Sequence, residues 1–301
     1  MRYDTLHDLA HAHAGDPGPG HRLAGEALCQ ELHGLFCNEV DCFAYQLELR
    51  VFGSIGNATH LATSDADIAV IPTGCRIHPR PSKGPKPEVV CDPLEFRSQL
   101  YQYLKRHYGE RLVCEQRKAI LLCGASGQRI QADIVVLIPR LWQHQICPKC
   151  KNPQCSHGYE LRSVCEREMS IATWPDQHRD NAAAFDARTS GRYRRAVRAA
   201  KALLRCERAV FSAIAPCLPS VLIEHLFAQV STSVYDGAGA CPYQAVRLAL
   251  QDLNAALQSG RARQFRELSE MRDLFDPNQT WSYFSVRDAL ARMQHALTTM
   301  A

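Results

Sequence analysis

Lysine is scarce in this 301-residue chain: only seven of its 35 basic residues are lysines, and Lys201 is the one lysine after Lys151. Charge of one sign is missing too. The net charge is +4 against 31 acidic residues, too mild to announce a nucleic-acid-binding protein, with nucleic acid left only as an acceptor or activator and room for a local phosphate site. No apolar run approaches the roughly 20 residues that cross a bilayer. Met1-Arg2-Tyr3-Asp4 lacks the charged-then-apolar build of a secretory signal. A soluble cytoplasmic protein is the expectation. Cysteine is not lacking, with 14 residues, but the chain is too long and too rich in core for a disulfide scaffold. Most of the thiols sit in apolar runs, where a reduced cysteine acts as a small core residue. The 46% hydrophobic and 22% charged content is globular.

Periodicity divides the chain near Cys165. Before it, Arg22 to Phe36 and Leu94 to Tyr108 read as helices. Ala44 to Phe52, Asp67 to Pro72, Ala119 to Cys123 and Ile130 to Ile138 read as strands. His7 to Pro19 is rich in Gly, Pro and His and reads as loose chain, and His78 to Pro87 as an exposed Pro/Lys loop. After Cys165 the expected helices are Tyr193 to Val210, Ser220 to Val230, Tyr243 to Gln258, Arg261 to Leu274 and Val286 to Leu297. The expected domains are a sheet lobe over 1–165, with an N-terminal helix, and a helical lobe over 166–301. A cleft between two such lobes is the default site.

Acidic residues carry the most information. Asp65 and Asp67 are two apart at the head of a strand, so both project on one face. Asp133 sits alone in Ile130-Gln131-Ala132-Asp133-Ile134-Val135-Val136, where a carboxylate is costly unless a cation or hydrogen bonds compensate it. Three carboxylates converging from neighbouring strands suit Mg²⁺ or Mn²⁺, hard ions that take oxygen ligands and keep substrate phosphates in their shell. A pair of such ions activates an attacking oxygen and stabilises a leaving pyrophosphate. The turn at Gly53-Ser54 would offer N–H groups and a hydroxyl to phosphates.

This combination resembles the DNA polymerase beta-like nucleotidyltransferases. Gly53-Ser54-Ile55-Gly56-Asn57-Ala58-Thr59 with Ser64-Asp65-Ala66-Asp67 is most similar to the branch of oligoadenylate synthase, cyclic GMP-AMP synthase and the bacterial cyclic-oligonucleotide synthases (CD-NTases). Trp174-Pro175-Asp176-Gln177-His178-Arg179-Asp180-Asn181 resembles the Pro-x-x-His-x-x-Asn segment of bacterial members. Arg192 to Lys201 resembles their basic spine helix, Ser220-Val221-Leu222-Ile223-Glu224 their Ser-x-x-x-Glu helix, and Asn278-Gln279-Thr280-Trp281 a tail motif. One departure is Asn57-Ala58, where many relatives have a basic residue and a glycine.

The resemblance implies an α+β fold, with a polymerase beta-like sheet lobe followed by a helical lobe. It implies a nucleotidyltransferase that binds two metal ions through Asp65, Asp67 and Asp133. Arg194, Arg198, Lys201 and Arg205 share one helix face, and a lone ammonium among arginines suits a compact phosphate contact. The resemblance gives that role to Lys201, with Ser220 as a second triphosphate contact and Gly53, Ser54 and Arg198 beside the nucleotide. His178 reads as a structural helix-entry or packing residue, since metal-activated hydroxyl attack needs no side-chain base. The expected product is a cyclic di- or trinucleotide made from nucleoside triphosphates (ATP, GTP, UTP or CTP) and sensed by an effector in anti-phage defence. Alternatives are transfer of a nucleotide to a tRNA end or a protein, and a catalytically inactive nucleotide- or RNA-binding module.

One cluster stands apart. Cys147, Cys150, Cys155 and His157 form C-x2-C-x4-C-x-H, four soft or borderline ligands that suit a tetrahedral structural zinc within 144–165. Cys165 or His144 is the substitute if His157 is not the fourth ligand.

Overall fold

The computed structural model describes residues 5–37, 46–73, 75–76, 89–124, 130–146, 153–165 and 170–300. In chain order the elements begin with helices α1 (Leu6–Ala14) and α2 (Pro19–Cys37), strand β1 (Gln46–Phe52) and the short turn of helix α3 (Gly53–Gly56). Next come β2 (Ala66–Thr73), β3 (Cys75–Arg76), β4 (Val89–Val90), α4 (Pro93–Tyr108), β5 (Val113–Glu115), β6 (Ile120–Leu122) and β7 (Ala132–Val136). Strands β8 (Ile138–Ile146), β9 (Pro153–Arg162) and β10 (Ser170–Thr173) follow. The rest is helical: α5 (Pro175–Arg188), α6 (Arg192–Arg205), α7 (Ala209–Ile214), α8 (Ser220–Ala228), α9 (Thr232–Gly237), α10 (Pro242–Gln258) and α11 (Tyr283–Thr299).

These elements form two compact units, a sheet unit of Pro19–Ile55 and Asp65–Pro175 and a helical unit of Met1–Gly18, Gly56–Ser64 and Asp176–Ala301. The division differs from a single cut at 165/166, because Leu6–Ala14 and 56–64 group with the helices and β10 (Ser170–Thr173) groups with the sheets. No single helix among the described residues is long and apolar enough to cross a membrane.

The sheet unit is built on a five-stranded sheet of order β1-β2-β7-β6-β5, with β2 and β7 parallel and the other pairs antiparallel. Alternation along β2 and β7 sets its two faces. Ala66, Ile68 and Val70, with Ala132, Ile134 and Val136, pack against Leu28 and Leu32 of α2 and Phe96 and Leu100 of α4. On the other face Ala69, Ile71, Val135 and Leu137 meet Tyr159 and Leu161 of β9. That strand is the centre of a second sheet, β10-β9-β8, which the sequence did not announce. Its chain is polar and Cys/Pro-rich, so the two-residue period is faint. The Pro/Lys loop of His78–Pro87 lies outside the described residues.

In the helical unit, α6 is enclosed by its neighbours. Tyr193, Ala196, Val197, Ala199, Ala200, Leu203 and Leu204 are all buried, and α1, α7, α8 and α10 pack around them. The start of the chain is therefore not loose. Leu6, Leu9, Ala10 and Ala14 recur at helical spacing and enter this core, a period hidden in the sequence by the surrounding histidines and glycines. Two further expectations change. The helix expected over Tyr193–Val210 breaks after Arg205, where Cys206 has extended backbone. The helix expected over Arg261–Leu274 is a short 3-10 turn, Arg261–Gln264, followed by a narrow loop bridged at Arg266 and Asp273. The buried carboxylate of Glu267 gathers Arg272 and Gln279, and these bonds favour the loop over a continuous helix.

Candidate active site

Parallel pairing of β2 with β7 brings two of the three acidic residues together. Asp67 is the register partner of Asp133, and residues opposite one another on neighbouring strands share a face about 4.8 Å apart. Asp65 lies just before β2 and is exposed, while Asp67 and Asp133 are half-buried. Burial, and then the charge of Asp65, raise the Asp133 carboxyl above the ordinary aspartate range. Its Oδ1 is buried and has no hydrogen-bond partner among the described residues. An oxygen-only donor set with an unsatisfied buried oxygen and mutual repulsion fits Mg²⁺ or Mn²⁺.

The neighbouring turn is shaped around the same carboxylates. Phe52, the last residue of β1, lies opposite Asp67. Gly53 then turns the chain with a φ of 62°, and a methyl group there would overlap the Asp67 carboxylate. Only glycine meets both demands. Ser54 follows within α3 and is half-buried.

The helical unit holds a second, buried ionic site. Glu224 on α8 is 2% exposed. Its Oε1 accepts from Lys201 Nζ and from the Thr59 hydroxyl, both at 2.6 Å. Its Oε2 accepts from Asn57 Nδ2 at 2.8 Å and is 2.9 Å from His178 Nε2. Burial alone would raise this carboxyl, but Lys201 and the His178 bond hold it well below the usual range. Lys201 also reaches the Thr59 carbonyl at 3.2 Å and its hydroxyl at 3.1 Å, so three acceptors stand around its three N–H bonds.

Arg198 is likewise buried. It donates from Nε to the Ala14 carbonyl at the end of α1, 2.9 Å away, and from Nη1 to Ala58 O at 2.7 Å. The basic stripe of α6 is therefore largely engaged inside the unit, with Arg194 on Asp186 and Arg205 near the Thr63 hydroxyl. Ser220 is exposed in the first turn of α8. Sequence reasoning did not link Asn57 and Thr59 to Glu224. The substitution of Asn57-Ala58 for a basic residue and glycine was the available signal.

Of the expected zinc ligands, Cys147 and Cys150 lie outside the described residues. In β9 the backbone of Cys155 pairs with Gln143 and that of His157 with Leu141, which puts the two positions on one strand face. His157 is exposed, as is Cys165.

Comparison with known proteins bears on this arrangement. The family model for the cGAS/DncV-like nucleotidyltransferase C-terminal helical domain matches residues 180–298. That part of the chain, most of the helical unit, therefore matches the C-terminal helical domain of the CD-NTase family. The whole chain is similar in fold to solved synthases of low sequence identity. The Elizabethkingia meningoseptica CdnE cyclic dinucleotide synthase, solved with GTP and Apcpp, superposes with a TM-score of 0.71 at 17% identity, covering 89% of this chain and 92% of its own. The Rhodothermus marinus CdnE c-UMP-AMP synthase gives 0.70 at 19% identity, with 96% and 95% covered. The E. coli MS115-1 CdnC structure with ATP gives 0.60 at 17%, with 97% and 91% covered. No curated protein matches the sequence.

Proposed function

We propose that this protein is a member of the CD-NTase family, a metal-dependent nucleotidyltransferase that joins nucleoside triphosphates, releases pyrophosphate and makes a cyclic di- or trinucleotide. The observation that carries the reading is the register pairing of Asp67 with Asp133, with the buried, unpartnered Oδ1 of Asp133 beside the charge of Asp65. Asp65, Asp67 and Asp133 would hold two Mg²⁺ or Mn²⁺ ions, which supply charge neutralisation at the phosphates and a more acidic attacking hydroxyl. The residues of the chain position the reactants. Gly53 admits the close approach of the turn to Asp67, and Ser54 and Ser220 hold the triphosphate. Lys201 contributes to the phosphates by giving up one of its Thr59 acceptors, while Arg198 fixes the segment around Ala58. A ribose hydroxyl of one nucleotide attacks the α-phosphate of another in line, and catalysis is mainly orientation and electrostatics. His178 is occupied with Glu224 and takes no proton from the nucleophile. A structural zinc at Cys147, Cys150, Cys155 and His157, and an effector that senses the product in anti-phage defence, complete the proposal.

The test is incubation of the purified protein with all four labelled ribonucleoside triphosphates and Mg²⁺ or Mn²⁺, followed by phosphatase and chromatography. A phosphatase-resistant product that the Asp65→Ala/Asp67→Ala variant does not make is the expected result, and omitting one triphosphate at a time names the bases. Labelling of added tRNA or protein, without a resistant small product, would overturn cyclic synthesis in favour of transfer to a macromolecule.

A further inference from the structure

Outside the carboxylate site, the helical unit gathers three metal-ligating side chains. His7 and His11 lie one helical turn apart on α1, and Cys241 caps the N-terminus of α10. Sγ of Cys241 is 3.5 Å from His11 Nε2 and 3.7 Å from His7 Nε2. One ligand atom from each of the three falls within 4.8 Å of the others. The imidazole rings are 4.4 Å apart between centroids. Both histidines are thus turned with the same nitrogen toward one sulfur, the arrangement in which two imidazoles and a thiolate share a cation.

The surroundings suit that use. Asp8 Oδ1 lies 3.9 Å from His7 Nδ1, close enough for electrostatic support though beyond direct hydrogen-bond reach, and the Tyr243 ring meets the imidazole at 65° with centroids 5.6 Å apart. A carboxylate near the far ring nitrogen is the usual support of a metal-binding histidine. Asp8 is itself fixed by the Thr5 cap of α1. The Cys241 sulfur already accepts from the Gln244 N–H at 3.4 Å, at a helix end where negative charge is accommodated.

We propose that His7, His11 and Cys241 form a binding site for Zn²⁺ or a similar borderline divalent cation, which pins α1 to the head of α10. The Cys241 thiol gives its proton to solvent as the metal–sulfur bond forms, and the imidazoles bind as neutral ligands, so no oxidant or reductant is needed. Three protein donors leave a further position for water. The set is soft and borderline, unlike the oxygen-only set of the aspartates, so the two sites select different metals.

The experiment reads Cys241 alone, which separates this site from the Cys147–His157 cluster. Apo protein is treated with N-ethylmaleimide with and without Zn²⁺, digested, and the Cys241 peptide quantified by mass spectrometry. With free Zn²⁺ about tenfold above its Kd, the free thiol falls to about one-tenth and alkylation slows about tenfold. In the His7→Ala/His11→Ala variant, whose substitutions remove exposed side chains, zinc gives no protection at that concentration. Bound zinc also falls by one equivalent per chain. Equal alkylation of wild-type Cys241 with and without zinc would overturn the site. So would equal protection in the double variant. The wild-type arm stands even if the double variant unfolds.

Discussion

Asp67 and Asp133 face the same side of the sheet as register partners on parallel strands, so the pairing that builds the sheet also crowds two carboxylates. Asp133 is raised by burial and by Asp65. A raised folded-state value means the group binds its proton more tightly folded than unfolded. Its contribution to stability is therefore fully present below about 3.9, the unfolded value, and is lost as pH rises through the folded value. In chelator, the stability difference between Asp133→Asn and wild type should grow in favour of the variant as pH rises from 4 toward 7. Added Mg²⁺ should stabilise wild type and leave the variant unchanged, and turnover in the variant should fall by about 10²-fold or more. Chemical unfolding across that pH range, with and without Mg²⁺, checks the first two, and product formation from labelled nucleoside triphosphates checks the third.

The Glu224–Lys201 pair makes the opposite prediction. Each partner is nearly inaccessible and the carboxylate accepts from four groups. Removing one member strands the other charge, which costs about 3–5 kcal/mol. Lys201→Met and Glu224→Leu should each show that loss in urea unfolding. The double variant should lose clearly less than the sum, because neither charge is then left alone.

His225 sits one residue beyond Glu224 and is held neutral. Burial, with His178 beside it, lowers its imidazole to about 3, and its Nδ1 accepts from the Leu268 N–H at 2.9 Å. The unfolded chain takes up a proton near 6.5 while the folded chain does not, so this contribution is present above 6.5 and lost as pH falls toward 3. At pH 5 the loss should be on the order of 2 kcal/mol. Glu224 adds its own acid sensitivity only near and below the unfolded glutamate value of about 4.3, and Asp133 changes stability in the opposite sense, so a loss of stability from 6.5 down to 5 points to histidine. His225→Asn, which retains an acceptor for Leu268, should flatten the stability profile there.

Legibility followed the local signal. The strands carrying Asp67 and Asp133 were readable because each carboxylate stands at the start of a short continuous apolar run, Ile68–Ile71 and Ile134–Val136, and the two-residue spacing of Asp65 and Asp67 needs no tertiary context. The surroundings of Lys201 were not readable. Its position on a basic face suggested an accessible ammonium, and only the fold brings Thr59 and Glu224 to it from 142 and 23 residues away. α1 was missed because composition was weighed above the spacing of Leu6, Leu9 and Ala10. The Arg261–Leu274 helix was expected from a period that the buried Glu267 cluster overrides.

Gly53 and Ala58 make a paired test of the turn that follows β1. Both have left-handed backbone, with φ of 62° and 56°, a conformation costing an L-residue roughly 1–2 kcal/mol relative to its usual regions. At Gly53 the strain is avoided and the missing side chain leaves room for Asp67. Gly53→Ala should therefore both strain the turn and displace that carboxylate, lowering turnover by about 10²-fold or more while the chain still folds. Ala58 bears the strain, and its carbonyl accepts from Arg198, a bond that glycine preserves. Ala58→Gly should gain up to about 1 kcal/mol in urea unfolding, reduced by the greater freedom of glycine in the unfolded chain. Its turnover should stay near wild type. A destabilised Ala58→Gly variant would show that the Ala58 methyl packs more favourably than the left-handed backbone costs.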